Sequence, residues 1–374
     1  MQQNPTGSEA AVLVSINFGE SDYSESMEEL CLLAETAGVR TLAVIEGKRQ
    51  RPDAALFAGS GKVQEIAEIV EQMEVPLVIF NHDLSPAQMR NLTAKLNTRV
   101  IDRTMLILDI FAQRAQSHEG KVQVELAQLR YLATRLVGQG IGMGQQKFAV
   151  GARGPGETKL ELDRRKLEKR VHLLKERLEK LKHQRAVQRR ARGRADVLSV
   201  SIVGYTNAGK STLFNRLTRA DVYVADQLFA TLDTTSRRMF TEGQGEIVVS
   251  DTVGFIRHLP HSLVAAFRST LEETVQADLL LHVVDANNAN RDDQIAEVNK
   301  VLTEIGAADT PQVLVFNKID LQNIPPSVQR YDYGKINRIF LSAKSGSGLD
   351  GLQLALAEAK TARQSDEAIK STTQ

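Results

Sequence analysis

The sequence predicts a mixed α/β chain with three successive parts: an α/β unit on a parallel sheet, an antiparallel helical hairpin, and a phosphate-loop α/β domain. Three observations support this division. Apolar segments alternate with amphipathic helices over the first hundred residues, two heptad patterns flank a glycine-rich segment, and a complete phosphate-loop motif follows. We expect boundaries at residues 1–102, 103–194 and 195–360, with a polar, disordered tail over 361–374.

The first part reads as strands and helices in alternation, which favours a parallel sheet. The predicted strands are Ala11–Ile16, Thr41–Ile45, Leu77–Phe80 and Val100-Ile101. The predicted helices between them are Glu25–Ala37, Val63–Met73 and Pro86–Leu96. Gly59-Ser60-Gly61-Lys62 resembles the end of a phosphate loop, but Leu56 stands where the first glycine belongs. We therefore interpret it as a turn before a helix.

Two heptad patterns predict the hairpin, because apolar residues recur at alternating four- and three-residue steps. The first pattern consists of Val122, Leu126, Leu129, Ala133 and Leu136, and the second of Leu167, Val171, Leu174, Leu178 and Leu181. The segment between them, residues 138–158, is rich in glycine. We expect a coiled coil with a long tip.

The second helix of this hairpin is strongly basic in a chain whose net charge is only +1. Between Lys159 and Arg194, fifteen Lys and Arg face five Asp and Glu, which leaves a charge of +10. Basic helix faces are often only solvated, and a coiled coil can serve only to dimerise. The size of the excess nevertheless favours a polyanion, with RNA preferred over DNA.

A complete phosphate-loop motif opens the third part, between an apolar strand and a helix. It consists of Gly204, Tyr205, Thr206, Asn207, Ala208, Gly209, Lys210, Ser211 and Thr212. Lys210 can reach the β- and γ-phosphates, and the Ser211 hydroxyl can ligate Mg²⁺. A chance glycine-rich turn is the alternative. The flanking strand and helix favour a nucleoside triphosphate.

Two downstream segments complete the phosphate and magnesium site. The first switch segment is Phe229, Ala230, Thr231, Leu232 and Asp233, and a D-x-x-G element follows at Asp251, Thr252, Val253 and Gly254. Thr231 is the preferred second hydroxyl on Mg²⁺, with Thr234 and Thr235 as alternatives. Lys210, Thr231 and Gly254 are the catalytic candidates, and Ser211 and Thr231 are the candidate metal ligands.

Two further motifs predict which base is bound. Asn317, Lys318, Ile319 and Asp320 follow an apolar strand, and Ser342, Ala343 and Lys344 follow another. The Asp320 carboxylate can accept two hydrogen bonds from guanine, and adenine lacks both donors in that geometry. A site built for hydrogen bonds rejects analogues that lack them, so GTP is favoured over ATP by roughly 10³-fold.

Composition limits where the chain can act. Its one cysteine, Cys31, excludes an internal disulfide framework, and no apolar segment approaches the ~18 residues of a membrane span. The N-terminal residues lack the features of a signal peptide. We expect a monomeric cytoplasmic protein.

These motifs together resemble those of HflX-type GTPases. The tip sequence Arg153–Thr158 (R-G-P-G-E-T), followed by Asp163-Arg164-Arg165, carries the resemblance beyond the nucleotide motifs. It implies a Ras-like G domain after the first two parts, binding to the large ribosomal subunit and its rRNA, and rescue of stalled ribosomes by splitting. Many relatives have an aromatic and histidine-containing stretch before the tip, where residues 138–144 of this chain are rich in glycine. Some relatives carry an extra C-terminal domain, and functions that depend on that domain are not expected of this chain.

Two features of the sequence bear on catalysis and on alternative functions. Phe255 stands where many GTPases place a glutamine, so we expect slow intrinsic hydrolysis. Asn207 occupies a position at which several GTPases bind K⁺, so K⁺ is a candidate cofactor. A regulatory GTPase that acts on a protein or membrane partner, and an RNA-remodelling NTPase, remain alternative functions.

Overall fold

The computed structural model describes most of the chain and divides it into two units. The described residues are 9–137, 159–192, 197–219, 227–241, 245–257, 259–260, 263 and 271–372. One unit is Met1–Gln113 with Lys121–Leu178, and the other is Arg114–Gly120 with Glu179–Gln374. The glycine-rich segment 138–158, with the tip Arg153–Thr158, lies outside the described residues.

A four-stranded parallel sheet forms the centre of the first unit. Its strands are β1 (Ala10–Asn17), β2 (Arg40–Lys48), β3 (Leu77–Phe80) and β4 (Arg99–Asp102), in the order β2-β1-β3-β4. The helices between them are α1 (Tyr23–Thr36), α2 (Ser60–Gln72) and α3 (Pro86–Leu96). The predicted alternation and parallel sheet are confirmed. Gly59 is the N-cap of α2, whereas Ser60, Gly61 and Lys62, which were predicted to form a turn before the helix, form its first turn.

A buried polar network ties the sheet of this unit to its helices. Helix α4 (Arg103–Arg114), which the sequence analysis did not predict, begins at an arginine that is 4% exposed. Its guanidinium donates to Glu29 at 2.5 Å and to the Asn81 amide oxygen at 2.8 Å. Asn81 in turn donates to Ser15 and Ser26. One arginine therefore connects α1, α4 and the ends of β1 and β3.

The hairpin consists of α5 (His118–Val137) and α6 (Lys159–Arg192). Val122 and Leu126 of α5 are buried against Leu174 and Leu178 of α6, with Leu129 and Val171 packed beside them. This antiparallel register agrees with the heptad prediction. Near its end, α5 is fixed to the sheet, because Arg135 donates to the buried carboxylate of Asp102 at 2.7 Å. Burial raises the pKa of Asp102.

A seven-stranded sheet in the order β10-β11-β9-β8-β5-β7-β6 forms the core of the second unit. Its strands are β5 (Leu198–Gly204), β6 (Thr235–Thr241), β7 (Gly245–Asp251), β8 (Leu279–Asp285), β9 (Gln312–Asn317), β10 (Ser327–Arg330) and β11 (Ile336–Phe340). Edge strands β6 and β10 pair antiparallel, and the inner pairs are parallel. The α-helices in the described part of this unit, after the hairpin, are α7 (Lys210–Thr218), α8 (Glu272–Val275), α9 (Arg291–Ile305) and α10 (Leu349–Thr372).

The last helix continues beyond its predicted end. The sequence predicted a polar, disordered tail from Thr361, whereas α10 extends to Thr372. The physical reason is that hydrogen bonds fix the middle of α10 to residues beside the sheet. Arg363 donates to the carboxylate of Asp278 and to the carbonyl of Val197, both at 2.5 Å. None of the helices in the described part of the chain is long and apolar enough to cross a membrane.

Removing the buried arginine should destabilise the first unit strongly. Arg103→Met leaves the Glu29 carboxylate buried without its cation, which typically costs about 3–5 kcal/mol. We expect urea unfolding, followed by hydrogen exchange in β1 and β3, to show a loss of that size. Arg40→Met, at an exposed position of β2, is the matched control and should change the free energy of unfolding by less than about 0.5 kcal/mol. Equal effects of both variants would contradict this account.

Candidate active site

The phosphate loop lies between β5 and α7, and two glycines give it its shape. Gly204 has φ +145°, and a Cβ there would lie 2.2 Å from the carbonyl oxygen of Val283. Gly209 has φ +93°, and its Cβ would lie 2.2 Å from the Asn317 amide nitrogen. Larger residues are therefore excluded by both backbone conformation and space. The Asn317 amide donates to the Ala208 carbonyl at 2.9 Å and ties the loop to β9.

Lys210 begins α7 and is 6% exposed. Its ammonium donates to the Tyr205 carbonyl at 2.6 Å, so the side chain folds back over its own loop. Burial lowers the pKa of Lys210 to about 8, against the opposing effect of the nearby Asp251 carboxylate. Because the Lys210 ammonium is buried and hydrogen-bonded to a neutral carbonyl, an anion such as phosphate can replace that carbonyl as its partner.

Three oxygen-bearing side chains converge beside the loop. Ser211 Oγ donates to Asp251 Oδ2 at 2.7 Å and lies 2.8 Å from Thr231 Oγ1. Thr231 Oγ1 donates to the same carboxylate oxygen at 3.1 Å. The other oxygen, Asp251 Oδ1, is buried with no hydrogen-bond partner, and burial raises the pKa of the carboxyl. A hard divalent cation such as Mg²⁺ fits this set, because it prefers oxygen ligands and supplies the missing charge.

The cavity at the phosphate loop measures about 60 Å³. One wall is fixed by the backbone: Thr206 N–H donates to the Phe255 carbonyl at 2.7 Å, and Phe255 N–H donates to Gly204 at 3.2 Å. Gly254 lies so close to the loop that a side chain would crowd it, since a Cβ at this position would be 3.0 Å from the Lys210 ammonium. The cavity is lined by Thr206, Asn207, Gly209, Lys210, Ser211, Thr212, Gln227, Phe229, Ala230, Thr231, Thr252 and Gly254.

The predicted base-reading residues lie outside this cavity lining, at the ends of β9 and β11. Asn317 links the two regions, because its amide oxygen also accepts from the Ala343 amide at 2.9 Å. Lys318 pairs with Asp285 at 2.8 Å. The Asp320 side chain is exposed, as is Lys344. The Ser342 hydroxyl accepts from the Ser345 amide and shapes the second loop.

Three further predicted residues are buried, and a fourth, Asp233, contacts a different helix. Leu232 and Val253 are buried, and the Thr252 hydroxyl donates to the Ile202 carbonyl at 2.7 Å. Asp233 instead points at the first turn of α5, where it accepts from Ser117. This partner was not predicted from the sequence, because the local signal is a serine that precedes a helix, which indicates a cap but not what the cap contacts.

Binding of a nucleotide triphosphate should be coupled to proton uptake by Lys210. Phosphates favour the charged lysine, so above pH 8 the complex holds a proton that the free protein lacks. We expect the affinity for a GTP analogue to fall as pH rises from 7.5 to 9, by up to about tenfold per unit above 8. Calorimetry in two buffers measures the proton uptake directly.

Lys210→Ala is the matched variant for this measurement. It should bind about 2–3 kcal/mol more weakly at pH 7, because a charge-assisted contact to phosphate is lost. Its affinity should not depend on pH over the same range. Identical pH profiles for the two proteins would show that another group takes up the proton.

Three sequence families match successive parts of the chain. Residues 24–112 match the family described as GTP-binding GTPase N-terminal, and residues 114–192 match the GTP-binding GTPase Middle Region. Residues 199–318 match the family described as 50S ribosome-binding GTPase. The last match contains the phosphate loop, the first switch segment and the D-x-x-G element.

Whole-chain relatives agree with these matches. GTPase HflX of Escherichia coli K12 is 55% identical over 351 residues, which cover 94% of this chain and 82% of that protein. GTPase HflX of Caldanaerobacter subterraneus subsp. tengcongensis is 47% identical over 356 residues, covering 95% and 82%. The crystal structure of the SsGBP and GDP complex, at 24% identity and a TM-score of 0.52, shares the fold over 94% of this chain and 98% of its own. The chain therefore belongs to the HflX family of ribosome-associated GTPases, and it hydrolyses GTP.

Proposed function

We propose that the chain binds the large ribosomal subunit through its basic hairpin and couples GTP binding and hydrolysis to the splitting of stalled ribosomes. The observation that carries this proposal is the exposed face of α6. Basic side chains are exposed along it while its apolar seam is buried against α5. The exposed basic residues are Arg164, Arg165, Lys166, Lys169, Arg170, Lys175, Arg177 and Lys180.

The charge of this face supports a polyanionic partner such as rRNA. Between residues 164 and 180 only Glu168, Glu176 and Glu179 oppose the basic side chains. One of them pairs with Arg164 at 2.9 Å, and Arg170 pairs with Glu125 of α5 at 2.7 Å. Exposed ion pairs of this kind contribute little to stability, so the net positive charge of the face remains available to phosphates.

The nucleotide site is proposed to work through the groups that converge at the phosphate loop. Lys210 holds the β- and γ-phosphates, and the Gly254 amide faces the γ-phosphate. Ser211 and Thr231 would hold Mg²⁺, with Asp251 behind them, and the ion would neutralise charge that develops on the phosphates. Asn207 is exposed at the cavity and is the residue through which K⁺ could add charge. Asp320 reads the guanine.

Stimulation by the partner follows from the position of Phe255. Its side chain is completely buried, and its backbone is paired with the phosphate loop. It therefore cannot orient the attacking water as a glutamine would. We infer that intrinsic hydrolysis is slow and that the ribosome supplies or positions the missing polar group.

Reversing charge on the described face of α6 tests binding. Lys169→Glu, Lys175→Glu and Lys180→Glu together should weaken affinity for large subunits at least tenfold and make its salt dependence shallower, because fewer counterions are released. The matched control reverses three exposed lysines elsewhere, Lys95, Lys300 and Lys335. It makes the same change in net charge and should bind normally. Sedimentation with large subunits over a range of KCl concentrations gives the measurement.

Replacing the tip Arg153–Thr158 with a Gly/Ser linker of equal length tests splitting. We expect GTP binding to be unchanged, since the nucleotide groups lie elsewhere in the chain, and the splitting of 70S particles to be lost. Sucrose gradients with GTP, a GTP analogue and GDP report both steps. A variant that separates 70S particles at the wild-type rate would contradict the role of the tip. If the wild-type protein does not bind ribosomes in any nucleotide state, the alternative of a protein or membrane partner is favoured.

A further inference from the structure

The first switch segment, Phe229–Asp233, is held at two places within the second unit. Thr231 meets Ser211 and Asp251 at the magnesium side. Two residues later, Asp233 Oδ2 accepts from the amides of Gln116 and Ser117 at 2.8 and 2.7 Å. Asp233 Oδ1 accepts from the Ser117 hydroxyl at 2.5 Å. The carboxylate is thus held by three donors at the start of α5.

The start of α5 is shaped to receive this carboxylate. The Ser117 hydroxyl accepts from the Gly120 amide at 2.8 Å, which makes Ser117 the N-cap of the helix. A Cβ at Gly120 would lie 2.1 Å from Asp233 Oδ1, so the close approach requires glycine. The helix N-terminus also favours a negative charge. A second contact joins the same regions, because Arg114 at the end of α4 donates to Gln227 just before the switch segment.

Only Leu232 separates the two anchored residues, and it is buried with 3% exposure. The backbone between Thr231 and Asp233 therefore has little freedom, and a displacement of one side chain is passed to the other. We propose that Asp233 is a positioning residue for GTP hydrolysis: by docking on the start of α5 it keeps Thr231 beside Ser211 and Asp251. The inference rests on the proposed role of Thr231 as a magnesium ligand.

The test measures how much Mg²⁺ is needed for half-maximal GTP hydrolysis by the full chain. Asp233→Ala removes three hydrogen bonds to a charged acceptor, so the required Mg²⁺ concentration should rise about tenfold. Asp233→Asn keeps an acceptor oxygen and should give a smaller rise. Affinity for GDP should stay within about twofold of wild type, because the phosphate loop is unchanged.

Two further variants separate docking from helix stability. Gly120→Ala should strengthen α5, since alanine is the better helix former, and yet displace Asp233. We expect it to raise the Mg²⁺ requirement as well. Ser85→Ala removes a cap of the same chemistry from α3, in which Ser85 accepts from Gln88, and should leave the Mg²⁺ requirement unchanged.

Hydrogen exchange gives the second readout. In the wild type, the Gly120 amide should exchange more slowly with a GTP analogue bound than with GDP bound, and Asp233→Ala should abolish the difference.

The Mg²⁺ requirement of Thr231→Ala is measured in parallel. If it leaves the Mg²⁺ requirement unchanged, the proposed role of Thr231 fails. If it raises the requirement while Asp233→Ala and Gly120→Ala do not, the inference about Asp233 is wrong.

Discussion

A buried carboxylate, Asp251, is the constraint on which the nucleotide site depends. Asp251 is the last residue of β7 and is completely buried. Because β5 and β7 pair in parallel, it lies opposite Ile202, just before the phosphate loop. Burying an ionised carboxylate is costly unless donors or a cation compensate. Ser211 and Thr231 compensate in part, which draws the loop and the first switch segment together. The raised pKa of Asp251 reflects what remains uncompensated.

The segment after Asp251 is fixed by the protein core as well as by this site. Phe255 is buried and its backbone forms a short parallel bridge with Tyr205, whose hydroxyl accepts from the Arg257 amide at 2.7 Å. The side chain that follows the D-x-x-G glycine therefore serves packing. A fixed, apolar residue at this point stabilises the conformation of the loop. Its side chain offers no hydrogen-bonding group to an attacking water.

The sequence predicted those features that depend on local patterns. Alternating apolar segments, heptad spacing and the ordered nucleotide motifs each constrain a short stretch, and the parallel sheets and the phosphate loop follow from them. The misses have a common cause. Arg103 begins a helix because it is buried with Glu29, and α10 extends because Arg363 reaches Asp278. Asp233 points at Ser117, 116 residues away. Each depends on a partner distant in sequence, which no local pattern reveals.

The docking of Asp233 gives a route by which a partner that contacts the start of α5 acts on the first switch segment. Coupling between binding sites is reciprocal. If ordering of Thr231 on Mg²⁺ stabilises the docking of Asp233 on α5, then a partner that favours the docked start of α5 stabilises the ordered switch by the same factor. Beyond any polar group that it supplies at the attacking water, such a partner would increase the rate by reducing the conformational entropy that the switch segment loses when it closes on the nucleotide.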